Sequence, residues 1–188
     1  MSKPIIAIVG RPNVGKSTFI NSFAGKACAK TGNKPGVTKG NQWIRLNKTL
    51  ELLDTPGILW PRFEDQRVGL LLAMIGSIND EILNKDELAV ELIRLLMQRC
   101  PETMTERYKL DGMSEEEKNE PGEILAQIAR ARGCLKKGGE PDYSKASAIL
   151  IEDFRSGRLG RITLELPPRS DESDKTEVKA TADKTEAR

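Results

Sequence analysis

Residues 10 to 17 read Gly-Arg-Pro-Asn-Val-Gly-Lys-Ser, and few eight-residue runs restrict a fold as tightly. The run has the phosphate-loop spacing GxxxxGK[ST]. The apolar residues 4–9 before it predict a buried strand, and the apolar spacing of 17–25 after it predicts a helix. The residue types suit one task. Gly10 and Gly15 let the backbone wrap a phosphate closely, with successive N–H groups and a helix N-terminus facing negative charge. Asn13, Val14, Gly15, Lys16, Ser17 and Thr18 are the expected nucleotide contacts. Lys16 would reach the β- and γ-phosphates and the Ser17 hydroxyl would ligate Mg²⁺.

A second signal lies about forty residues on. Leu50-Glu51-Leu52-Leu53 predicts a strand that runs into Asp54-Thr55-Pro56-Gly57. An Asp at the end of a strand beside the loop is the expected Mg²⁺ partner, acting through water, and the Gly57 N–H can sense a γ-phosphate. Asp-Thr-Pro-Gly alone is also good turn chemistry. Paired with the loop, it points to a GTPase rather than a generic ATPase. Between the two, Thr38 in Pro35-Gly36-Val37-Thr38 is the candidate switch threonine that completes the Mg²⁺ shell. Guanine selectivity, however, calls for an NKxD motif. The one near match, Asn84-Lys85-Asp86-Glu87, ends in Glu and sits too soon after Asp54, at the head of a stretch with helical apolar spacing. It reads as a helix start, not a base-recognition loop.

Longer motifs resolve the contradiction. GRPNVGKSTFIN (10–21), AKTGNKPGVT (29–38), QWIRL (42–46), LELLDTPGILWPRFED (50–65), ERYKLD (106–111), RGCLKKGG (132–139) and GRITLE (160–165) together resemble the second half of the YlqF/RbgA group, the ribosome biogenesis GTPase A family. The likeness runs from Ile5 to about Pro167. The opening residues also look like the start of EngA/Der-type GTPases, a similarity that fades after the phosphate loop. In the YlqF/RbgA group the G domain is circularly permuted, and the base-binding motifs and a hydrolytic histidine are encoded before the phosphate loop. This chain has no histidine. The expectation is either a fragment with a misplaced start or a degenerate paralogue, and the undecayed motifs favour the fragment.

The resemblance implies an α/β fold: a P-loop NTPase-like partial G domain over 1–70, then a small, mainly helical C-terminal domain over 71–166. It further implies a GTP- and GDP-binding factor in assembly of the large ribosomal subunit, touching rRNA and ribosomal proteins, whose hydrolysis is partner-stimulated and impaired in this chain. The position after Gly57, where Ras-like proteins place a water-orienting glutamine, holds Ile58, so intrinsic hydrolysis should be slow. Asn13 matches the residue that helps hold a K⁺ ion in several GTPases with a GxPNxGKS loop. Equal turnover in Na⁺ and K⁺ by the full-length parent would dispose of a K⁺ role.

Composition narrows the setting. Three widely spaced cysteines, Cys28, Cys100 and Cys134, suit reduced thiols in a cytoplasmic protein, and zinc is not expected without histidine. No apolar run approaches the roughly twenty residues of a membrane span, and no signal peptide precedes Pro4. Residues 1–66 carry ten Lys/Arg against four Asp/Glu, a basic surplus that fits phosphate or an RNA surface. Arg130, Arg132, Lys136, Lys137, Arg155, Arg158 and Arg161 form a second basic run, which reads as phosphate-backbone contact or as ordinary surface charge. Helices are expected over 68–75, 88–97, 123–132 and from Asp142 or Ser144 to Ser156, with a short strand at Ile162-Thr163-Leu164. Residues 167–188 have too little apolar content to order themselves. Two other readings stay open: a non-catalytic ribosome- or RNA-binding module with residual phosphate binding, and a P-loop kinase or ATPase.

Overall fold

The computed structural model describes residues 5–59 and 62–165. Trp60, Pro61 and the 167–188 segment lie outside the described residues. The chain opens with β1 (Ile5–Ile8), α1 (Lys16–Ala24), β2 (Gln42–Arg45) and β3 (Glu51–Asp54). These strands make one sheet in the order β1-β3-β2. β1 runs parallel to β3 with Ile8 opposite Asp54, and β2 runs antiparallel with Gln42 opposite Asp54. The register brings the C-terminal ends of β1 and β3 side by side, where the phosphate loop and the Asp54 segment begin. Parallel neighbours need a long crossover, and here it contains α1 and β2.

The helices follow: α2 (Gln66–Met74), α3 (Lys85–Arg99), α4 (Pro101–Tyr108), α5 (Glu115–Asn119), α6 (Pro121–Ala131) and α7 (Tyr143–Arg155), with 3-10 turns at Asp80–Ile82 and Leu110–Gly112. Local chemistry sets their ends. Asn84 caps α3 by accepting from the Asp86 and Glu87 amides, so the NKDE run is a helix start. Ser114 and Glu117 form a capping box on α5, as the Ser-x-x-Glu spacing anticipates. Asp142 caps α7. Pro101 and Pro121 sit in first turns, where a missing N–H costs nothing.

Two apolar clusters result. Among the described residues, twenty buried side chains unite α2, α3, α4, α6 and α7, including Leu92, Ile93, Leu96, Met104, Ile128 and Leu150. The sheet side has four: Ile20, Ala29, Ile44 and Leu52. The helical part therefore carries most of the apolar burial that holds the molecule together.

Several expectations fail on packing. β1 is a strand but not a buried one. It lies at the sheet edge, with Ile5 56% and Ile6 42% exposed, because the described residues supply neither a strand nor a helix to cover it. Phe19 and Phe23 of α1 stack on each other at 5.9 Å yet face outward with Trp43. Residues 162–164 form no strand; Ile162 and Leu164 instead pack on the helical cluster. On α7, Ala148 is exposed, and Ala146 and Leu150 take the core positions.

Candidate functional site

The phosphate loop joins β1 to α1. Its middle residue, Asn13, has φ 56°, a left-handed conformation that asparagine tolerates better than most residues. Lys16 Nζ donates to the Arg11 carbonyl at 2.7 Å, which lays the ammonium group across the mouth of the loop. Thr55 Oγ1 donates to the Ile8 carbonyl at 2.7 Å, and the Ile58 amide donates to the Gly10 carbonyl at 3.3 Å. These bonds hold the segment after β3 against the loop. Gly57 is in the tightest contact. A Cβ there would lie 2.4 Å from the Pro12 backbone, so no other residue fits without separating the two segments.

Beneath the loop, Ser17, Thr38 and Asp54 converge. Ser17 Oγ donates to Asp54 Oδ2 at 2.9 Å and lies 3.3 Å from Thr38 Oγ1, which is 3.5 Å from the same Oδ2. Asp54 is fully buried, and its Oδ1 has no hydrogen-bond partner. A buried carboxylate oxygen without a donor is costly and marks a place where a cation would be favourable. Hydroxyl and carboxylate oxygens are the donor set that suits a hard divalent ion such as Mg²⁺. Among the described residues there is no cluster of three or more His, Cys, Asp or Glu side chains able to hold a metal by themselves, so any ion here depends on the hydroxyls as well.

A cavity of about 410 Å³ opens over this point. Pro12, Asn13, Gly15, Lys16, Ser17, Thr18 and Gly57 line one side, and Lys30, Asn33, Lys34, Val37 and Thr38 close the other. Val14 is half exposed beside it. The structure thus brings every sequence-derived site residue into one neighbourhood. Sequence reasoning overlooked Lys30 and Lys34 as wall residues; their flanking of the GNKPGVT run was the available signal. Asn21 was overlooked too. Its Oδ1 accepts from the Cys28 and Ala29 amides and its Nδ2 donates to the Ala29 carbonyl, anchoring the start of the 28–38 segment to α1.

Asn13 is also engaged away from the phosphate cavity: its Nδ2 donates to the Gly76 carbonyl at 3.2 Å. The basic run also divides. Arg130, Lys136, Lys137 and Arg161 are exposed. Arg132 and Arg158, with Arg107, surround Asp153 at 2.9–3.1 Å, and Tyr108 donates to the same carboxylate at 3.0 Å. Burial pushes the Asp153 pKa up, but the hydrogen bonds from Arg107, Arg158 and Tyr108 outweigh it and hold the carboxyl below its ordinary value. Burial, followed by the Asp153 charge, pushes the Tyr108 pKa upward, so its hydroxyl stays a donor. Three guanidiniums on one carboxylate leave a positive surplus at this face. Arg155 is a different case. It is committed to internal partners and is not available as surface charge.

Comparison with known proteins accords with this geometry. Residues 5–127 match the family model described as 50S ribosome-binding GTPase. The chain is 51% identical over 160 residues to the ribosome biogenesis GTPase A of Bacillus cereus, covering 85% of this chain and 53% of that protein. It is 35% identical over 162 residues to the Thermotoga maritima protein of the same name, covering 86% and 56%. The chain therefore spans about half the length of these relatives. Among solved structures, the GDP-bound YlqF of T. maritima superposes with a TM-score of 0.57 at 28% identity, over 88% of this chain and 61% of that one. A phosphate loop at the joined ends of two parallel strands, a buried aspartate under it and a matching family model over most of the described chain lead to one statement: the chain belongs to the 50S ribosome-binding GTPase family, with its likeness there to the YlqF/RbgA group.

Proposed function

We propose that the chain is the phosphate-binding and switch portion, with the helical portion, of a GTP-binding factor acting in assembly of the large ribosomal subunit. The observation that carries this reading is the Ser17–Thr38–Asp54 cluster beneath the loop, with its unpartnered Asp54 Oδ1. Residues 1–70 would form the nucleotide half and 71–166 the helical domain. The backbone amides of Asn13, Val14, Gly15, Lys16, Ser17 and Thr18 would cradle the phosphates of GTP or GDP, with the Lys16 ammonium neutralising them. Ser17 and Thr38 would hold Mg²⁺ directly and Asp54 through water. Such an ion would supply positive charge to neutralise the bound phosphates. Asn13 Oδ1 is the candidate for a K⁺ contact.

The Thr38 hydroxyl and the Gly57 amide border the same cavity, so both can register a γ-phosphate, and their segments would order or relax with it. At the next position Ile58 is 71% exposed and cannot orient water. No residue of this chain is assigned to the hydrolytic step, which a partner would have to complete. The chain carries no NKxD motif, so guanine selectivity would rest on the base-binding motifs that the YlqF/RbgA group encodes before its phosphate loop. The exposed Arg130, Lys136, Lys137 and Arg161, with the surplus charge around Asp153, suit rRNA phosphates. A ribosomal role would place the protein in the cytoplasm, and among the described residues no helix is long and apolar enough to cross a membrane.

Titration of the chain with fluorescent GDP and ATP analogues in Mg²⁺ tests the reading. Binding with little base preference, abolished by Lys16→Ala, is the expected result. Tight binding that favours guanine by orders of magnitude, or binding that survives Lys16→Ala, would overturn it. Ribosome binding independent of nucleotide would favour the second reading, a non-catalytic ribosome- or RNA-binding module with residual phosphate binding.

A further inference from the structure

The phosphate loop touches the helical part through two consecutive bonds. Pro12 O accepts from Ser77 Oγ at 2.7 Å, a buried contact, and Asn13 Nδ2 donates to Gly76 O at 3.2 Å. Gly76 and Ser77 belong to the link between α2 and α3. Gly76 turns at φ 73°, and a Cβ there would lie 3.1 Å from Asn13 Nδ2 and 3.2 Å from the Arg155 guanidinium. Asn13, Gly76 and Arg155 are thus stacked in sequence with no spare room.

Arg155, at the end of α7, grips that link at both sides. Its Nε donates to Met74 O at 2.9 Å and its Nη2 to Ala73 O at 2.7 Å, satisfying carbonyls at the C-terminus of α2. The same guanidinium pairs bidentately with Asp80, Nη1 to Oδ2 and Nη2 to Oδ1, both at 2.9 Å. The fork fixes residues 73–74 and residue 80 relative to α7. Gly76 and Ser77, which hold the loop, lie between those two fixed points. Only a planar guanidinium offers this fan of donors; an ammonium would satisfy part of it.

We propose that Arg155, with Asp80, is a positioning residue for nucleotide binding: through Gly76 and Ser77 it sets Pro12 and Asn13, and with them the amides that face the phosphates. Asn13 holds a left-handed conformation, and the direction of the following N–H groups depends on it. A helical-domain side chain far from the cradle in sequence thereby controls the shape of the cradle. The link works both ways by thermodynamic necessity, so nucleotide binding tightens the seat of α7 on α2.

This rests on the nucleotide reading given above, and a double-mutant cycle separates the two. The affinity of the chain for Mg²⁺ with GDP is measured for wild type, Arg155→Lys, Asn13→Gly and the double variant; glycine keeps the left-handed backbone accessible. Arg155→Lys is expected to weaken binding by roughly threefold or more, and the double variant to lose less than the two single losses combined, since the Ser77–Pro12 bond remains. Unchanged affinity in Arg155→Lys, or a full further loss in the Asn13→Gly background, overturns the proposal. Amide hydrogen exchange on the nucleotide-free chain judges it independently. Arg155→Lys should speed exchange in residues 9–17 and leave 85–131 at the wild-type rate. No change in 9–17, or equal acceleration throughout, would mean that Arg155 only stabilises the fold. If the wild-type chain binds no GDP, the nucleotide reading fails and the exchange result alone decides the relay.

Discussion

Single atoms decide whether this site can work. Gly57 was legible in the sequence as a candidate γ-phosphate sensor, but its packing role was not. The contact at fault for any larger residue is Pro12, forty-five positions away, and only the fold brings them together. Gly57→Ala would push a methyl to 2.4 Å from backbone atoms that cannot rotate aside. The variant is expected to lose phosphate affinity by about tenfold or more, on the order of 1.4 kcal/mol, with little change in the helical core. Fluorescent GDP titration checks this; wild-type affinity would show that the segment after β3 is free to move off the loop. Ser17, Thr38 and Asp54 were each singled out from spacing, because a phosphate loop would call for a hydroxyl and a carboxylate at those stations, and the fold brings the three side chains together. Arg155 was not. As one of seven basic residues in a run it looked like surface charge, and its real partners are two carbonyls and an aspartate about eighty residues upstream.

At the level of elements, the helix ends follow from local rules and the sheet does not. The capping residues Asn84, Ser114 and Asp142 act within three residues of themselves, so their effect can be read along the chain. Ser114→Ala removes one half of the α5 capping box and should cost about 1 kcal/mol. Since α5 buries no residue of its own, the loss should show as faster amide exchange over Glu115–Asn119 and not as lost cooperativity. A melt lowered with unchanged exchange there would contradict it. The β1 prediction failed for the opposite reason. An apolar run signals that a strand can be buried, but whether a neighbour covers it depends on pairing that no window of sequence contains. With β3 on one side and nothing described on the other, Ile5 and Ile6 remain open to solvent.

The whole molecule is held by unequal halves, and acid should reveal how. Asp80 is held below its ordinary pKa chiefly by the Arg155 hydrogen bond, against the opposing effect of burial. Asp153 is lowered as well, despite its burial. A depressed carboxylate contributes stability that is fully present above the unfolded aspartate value, near 3.8, and is lost as pH falls through the lower folded value. Thermal melts should therefore be level from neutral pH to about pH 5 and fall steeply below pH 4. Asp153→Asn should lower the plateau and flatten the acid limb, since the variant no longer has that proton to gain. A plateau unbroken down to pH 2.5 would show that the Asp153 and Asp80 clusters do not stabilise the fold.

Sequence alone determined the motifs and the local grammar: the phosphate loop, the Asp-Thr-Pro-Gly segment, the helix starts at Asn84, Ser114 and Asp142 and the lack of an NKxD motif. These are legible because each depends on residue types at short, fixed spacing. The tertiary structure decided what those pieces rest on. It left one sheet edge and the Phe19, Phe23 and Trp43 side chains exposed, gathered three arginines on Asp153, and tied the loop to α7 through Gly76 and Arg155. Burial and long-range hydrogen bonds join residues whose separation along the chain carries no pattern, so only the folded molecule can show them.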